Sequence, residues 1–193
     1  MLTRRSLVLA VGAIAFAGPA FAKKGDTPLP RPLSELSSLA LTRGDGAATT
    51  LGAEVQPHRA TVISLWATWC APCIQEAQHL AKIRMAYAAD QLGIIGINVE
   101  ENRDEGKMEK FFKKGRVNFT QLRGDPQPTY MAFGGALPIT LPRLYVFNRN
   151  GTPIAGFFIR LRLPANRPIN AVRSSSIPDK ANDFLSRCLK AAA

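Results

Sequence analysis

The chain has 193 residues, of which 46% are hydrophobic and 20% charged, which suits one core-forming domain with a tail and excludes wholesale disorder. Lysine and arginine total 25 against 14 acids, for a net charge of +11, and three cysteines are too few for a disulfide-stapled scaffold. No stretch reaches the roughly 18 uninterrupted apolar residues of a membrane-spanning helix. Residues 1–22 carry Arg4 and Arg5, an apolar run from Leu7 to Phe16, a Gly18-Pro19 break and a small-x-small Ala20-Phe21-Ala22. They read as a signal peptide with the mature chain starting at Lys23, exported by the general or the twin-arginine route. A retained segment would tether the protein to the membrane instead. Either way the mature part lies outside the cytoplasm, in an oxidising space.

Residues 23–46 read as a linker and N-terminal extension, proline-rich and charged to residue 32. Residues 33–41 fit a short helix or a docking strand equally, and Gly44-Asp45-Gly46 marks a turn. A domain is expected over 47–193. Ala47 to Val55 reads as strand and turn. Thr61 to Ala67 and Leu92 to Val99 are rich in branched residues and read as buried strands. Between them, Ile74, Ala77, Leu80, Ala81, Ile83 and Tyr87 recur at helical spacing. Residues 104–115 suggest a charged helix with Met108, Phe111 and Phe112 inward, ended by Gly115. Val117 to Leu122 reads as a strand, and Pro126 to Phe133 as a short helix stopped by Gly134-Gly135. Leu144 to Phe147 and Pro153 to Ile159 form a hairpin around Asn148 to Gly151, and Pro178 to Leu189 is a last helix. The order predicts an α/β fold with a mainly parallel sheet covered on both faces and an antiparallel hairpin at one edge.

Trp66-Ala67-Thr68-Trp69-Cys70-Ala71-Pro72-Cys73 falls where a buried strand gives way to a helix. Positions three apart share a helix face, so the two sulfurs can bond. Cys70 would stand at the helix start, where unpaired N–H groups and the helix dipole favour a thiolate and lower its pKa. It is the expected exposed nucleophile, and Cys73 the resolving thiol. Pro72 suits the first turn, where its missing N–H is no loss. Trp69 shields the sulfur, offers a docking surface or simply packs, and packing is the reading for Trp66. Zinc needs further ligands, and only His58, His79 and the remote Cys188 remain. The histidines read as surface residues and Cys188 as a small buried hydrophobe.

This chain resembles the thioredoxin-fold, TlpA/ResA-like exported thiol–disulfide oxidoreductases. The likeness is strongest over TVISLWATWCAPCIQE (61–76) and LPITLPRLYVFNRNG (137–151), and looser across about 47–160. It implies a thioredoxin-like fold: a central mixed sheet with a C-terminal β-hairpin and helices on both faces. It further implies a cis-proline beside the disulfide. Counting back from Gly151 gives Pro142, with Pro138 the rival, and Leu141 would offer its backbone to a substrate strand. The family's small hydroxyl residues after this proline are replaced by Arg143 and Leu144, so substrate contacts should differ. A glutamate three residues after the second cysteine is matched by Glu76, a candidate proton acceptor or donor for Cys73 or else an exposed first-turn acid. Thioredoxin's buried aspartate six residues before its first cysteine is replaced by Ser64.

The resemblance implies catalysis with no metal or organic cofactor. The expected partners are disulfide-containing exported proteins, as in cytochrome c maturation, and a membrane thiol electron donor, with no nucleic acid and a monomeric state. The alternatives are a disulfide-forming oxidant and a binding or metal-chaperone module. The acid-free stretch from Pro126 to Pro178 reads as a solvated basic surface, or as a face for an acidic partner or an anionic membrane.

Overall fold

A computed structural model describes residues 28–102 and 104–158. The signal-peptide segment, residues 159–178 of the basic stretch, the C-terminal helix and Cys188 lie outside the described residues.

Within these limits one sheet runs in the order β2-β1-β5-β4-β3-β6-β7. The centre is β3 (Ala60–Trp66), buried at every position, as its run of branched residues demands. It pairs in parallel with β4 (Leu92–Asn98). On its other side it pairs antiparallel with β6 (Arg143–Asn148), which turns back into β7 (Pro153–Phe158). β5 (Thr120–Gly124) joins β4 in parallel. The thioredoxin-like mixed sheet is therefore present, but the mainly parallel sheet is corrected: only the β3–β4 and β4–β5 pairs run parallel among the described strands.

The sheet gains antiparallel pairs from residues expected to precede the domain. Residues 33–46, read as part of the extension, belong to the domain. They contribute helix α1 (Leu33–Leu36) and strand β1 (Ala40–Arg43), so both readings of that segment apply in succession. β1 pairs with β2 (Ala48–Thr50) and with β5. After β2 the chain makes helix α2 (Leu51–Glu54), not the expected turn. Thr50 caps this helix by accepting from the Ala53 N–H. α1 docks on the far end of the hairpin, where the Leu33 N–H donates to the Gly151 carbonyl at 2.9 Å. Gly151 turns with φ +74, and its open Cα face admits Leu33.

Strand alternation sorts the core. Ile63, Leu65, Ile95, Ile97, Tyr145 and Phe147 face α1 and α5 (Pro126–Ala132). Val62, Ile94, Leu144 and Val146 face α3 (Ala71–Ala86). Helices thus cover both faces. Helix α4 (Glu105–Gly115) packs beside α3 through Met108 and Phe111, with Phe112 only half-buried. It ends at Gly115 as expected, with Arg116, at φ 52, taking the left-handed cap, and a Cβ on Gly115 would come within 2.9 Å of Ala77 Cβ. Among the described residues no helix is long and apolar enough to cross a membrane.

Leu36 is 2% exposed and sits in the core cluster against the sheet. Leu36→Ala should therefore lower stability by about 3 kcal/mol, the usual cost of a buried leucine truncation. Urea unfolding measures it, and a loss under about 0.5 kcal/mol, the scale of a surface substitution, would mean that α1 is an appendage.

Candidate active site

β3 delivers the chain to the carboxyl end of the sheet and α3 carries it away. Between them, residues 67–70 form a tight connection closed by the Cys70 N–H donating to the Ala67 carbonyl at 3.1 Å. Cys70 is the N-cap of α3, with φ −86 and ψ 93, and Pro72 occupies the first turn. The Cys73 N–H donates to the Cys70 carbonyl at 3.0 Å, starting the helical ladder. That turn brings the two Cα atoms to 5.3 Å, and the sulfurs are joined at 2.04 Å.

The expectation of an exposed Cys70 is corrected. In this disulfide form Cys70 is 3% exposed and Cys73 2%. Both belong to a cluster with Trp66, Ala67, Met108 and Phe111, against which Leu141 packs. What distinguishes the two sulfurs is position. Cys70 stands at the mouth of the helix, where free N–H groups point, and Cys73 lies one turn inside.

Trp66 packs, stacking on Phe111 with ring centroids 3.9 Å apart. Trp69, beside Cys70, is 62% exposed, so plain packing does not describe it. Both Leu137–Pro138 and Leu141–Pro142 are cis. Pro138 is exposed, whereas Pro142 is buried immediately before β6, whose Arg143 pairs with Leu65 of β3. Leu141, which packs against the cluster that holds the disulfide, immediately precedes Pro142. Arg143 braces this loop. Its Nη2 donates to Thr140 Oγ1 at 3.0 Å, and its guanidinium lies over the Tyr130 ring at 4.8 Å. The Tyr130 hydroxyl in turn meets Thr140 Oγ1 at 2.7 Å.

Glu76 faces inward and is 1% exposed, which removes the reading of an exposed first-turn acid. The Ser64 hydroxyl donates to its Oε1 at 2.5 Å, and Oε2 has no protein partner. Burial pushes its pKa up to about 7, against the opposing pull of the Ser64 hydrogen bond.

Sequence reasoning missed Glu100. Its carboxylate accepts from the Thr68 N–H at 3.0 Å and from the Thr68 hydroxyl at 2.8 Å, fixing the connection that carries Trp69 and Cys70. The available signal was an acid placed just beyond the strand that runs parallel to β3. It missed Gln121 too, whose Oε1 accepts from the Trp66 indole N–H at 3.0 Å. His58 and His79 are half-buried, not surface residues. His58 lies so close over Gly93 that a Cβ there would strike its ring. Among the described residues no group of three His, Cys, Asp or Glu side chains is placed to hold a metal ion.

Comparison with known proteins agrees with the likeness read from the sequence. The Redoxin family model matches residues 18–155. Sporulation thiol-disulfide oxidoreductase A of Bacillus subtilis is 23% identical over 95 residues, covering 47% of this chain. The match spans 54% of that relative, about half its length. Among solved structures, a secreted Mycobacterium tuberculosis disulfide oxidoreductase superposes with a TM-score of 0.53 at 23% identity, covering 81% of this chain and 98% of that one. A thiol-disulfide oxidoreductase from Bacteroides fragilis gives 0.52 at 21% identity, over 63% and 88%. At these identities the superpositions speak for the fold.

Proposed function

The chain belongs to the Redoxin family, and we propose that it is an extracytoplasmic thiol–disulfide oxidoreductase that reduces disulfides of exported partner proteins, as in cytochrome c maturation. The observation that carries this reading is the bonded Cys70–Cys73 pair at the start of α3, at the carboxyl end of the central strand.

In the reduced enzyme the Cys70 thiolate attacks one sulfur of a target disulfide. The target S–S bond breaks, one target thiolate leaves, and a mixed disulfide forms. Cys73 gives its proton to the Glu76 carboxylate and attacks the Cys70 sulfur. The second target thiolate leaves, and the Cys70–Cys73 bond closes. Two electrons have passed to the target, and a membrane thiol donor restores the dithiol. Trp69, Leu141 and Pro142 present the docking surface, the first by its exposed ring and the others by their backbone. The dithiol does this chemistry without metal or organic cofactor.

Direction is tested by equilibrating the protein with glutathione buffers and counting free thiols. A reductant should fall near the thioredoxin value of about −270 mV, and a result near the DsbA value of about −120 mV would reverse the assignment to that of a disulfide-forming oxidant.

A further inference from the structure

The buried face between β3, β5, α3 and α4 holds polar groups that attack by Cys70 does not use. A small cavity of about 10 Å³ is lined by Ser64, Cys73 and Gln121 against the rings of Trp66, Phe111 and Phe119. That is the space of about one water, provided two or more polar partners face it. Gln121 is held in place: its Oε1 accepts from Trp66, and its Nε2 donates to the Phe119 carbonyl at 3.4 Å. A second lone pair on Oε1 and a second hydrogen on Nε2 are left over. Gly96 is what lets this amide lie against β4, since a Cβ there would come within 2.4 Å of Gln121 Oε1.

Ser64 touches both the cavity and Glu76. Its hydrogen is committed to Glu76 Oε1 at 2.5 Å, which leaves its own lone pairs to accept from the cavity side. The direction of this hydrogen bond is the direction in which a proton leaving Cys73 would travel.

We infer that Ser64 is a relay residue for the resolving step, joining Cys73 to Glu76 through one water that Gln121 holds in the cavity. The inference rests on the reading of Cys73 as resolving thiol and Glu76 as its proton acceptor. As Cys73 attacks the Cys70 sulfur of the mixed disulfide, its S–H proton passes to the water. The water passes a proton to Ser64 Oγ, and Ser64 passes its own hydrogen to Glu76 Oε1. Water and serine end unchanged, Glu76 ends neutral, and the electron pair of Cys73 forms the new S–S bond as the target thiolate departs.

The test uses 5,5′-dithiobis(2-nitrobenzoate) in a stopped-flow instrument on reduced protein carrying Cys188→Ala throughout, so that Cys70 and Cys73 are the thiols that react. One yellow thiolate is released as Cys70 attacks, and a second as Cys73 closes the ring. Ser64→Ala should leave the first phase unchanged and slow the second about 100-fold at pH 7, at the low end of what proton transfer contributes. Gln121→Met should slow the same phase. Second phases equal to wild type, or both phases slowed alike, would overturn the relay. In the wild-type protein itself, mixtures of H2O and D2O should give a curved dependence of the second rate, because several protons move together. A straight line would also overturn it, whatever the variants do. A wild-type protein that shows no second phase would bring down the assignment of Cys73, and the relay with it. A normal wild-type second phase that Ser64→Ala leaves untouched removes the relay alone.

Discussion

Cys70→Ser should abolish disulfide reduction, with a fall of on the order of 10³-fold or more in the rate of insulin reduction. The first step needs an anion at position 70, and a thiol at the mouth of a helix ionises near neutral pH where a hydroxyl does not. The serine is nearly the same size, so the cluster of Trp66, Met108, Phe111 and Leu141 keeps its packing. Cys73→Ser should behave differently. Cys70 can still attack, but nothing resolves the product, so the variant should accumulate a mixed disulfide visible as a stable mass adduct. Residual turnover of Cys70→Ser close to that of wild type would mean that the pair is a binding feature and not the reacting group.

The second large effect is on stability. Glu76 has an ordinary pKa of 4.5 and is held at about 7 in the fold by burial. Between those two pH values the folded chain keeps a proton that the unfolded chain has lost. Stability must therefore fall as pH rises through this window. The contribution is complete below about pH 4.5 and gone above about pH 7, a swing of about 3 kcal/mol. Glu76→Gln cannot ionise, so its unfolding free energy should lack this slope. Urea denaturation of oxidised wild type and variant at pH 4.5, 6 and 8 isolates the difference, since every other titrating group, including the half-buried His79, is common to both. Parallel curves would show that Glu76 is not held neutral. The same substitution should slow disulfide exchange near neutral pH, and an unchanged pH–rate profile would remove its proton-transfer role.

Two kinds of information place these groups, and only one was legible in the chain. The central strands were legible because β3 and β4 are short, branched and bounded, and their burial is independent of what covers them. The sulfur pair was legible because its geometry is local, set by three residues of one helix. Glu76 could be nominated from the family likeness, but its burial depends on β3 lying across α3. Glu100 was out of reach for the same reason: its partner Thr68 is 32 positions away and meets it only because β3 and β4 pair in parallel register. The α1–β1 segment misled because its two elements are four residues each, too short for either period to show. The covering of Cys70 is likewise made by Leu141 and Phe111, from distant parts of the sequence.

The docking of Leu33 on the turn at Gly151 fixes an orientation. That turn is the end of β6 opposite Pro142, so α1 closes the pole of the sheet remote from the sulfurs. A change at that pole therefore loosens the hold of the first helix on the hairpin and leaves the reacting atoms where they stand.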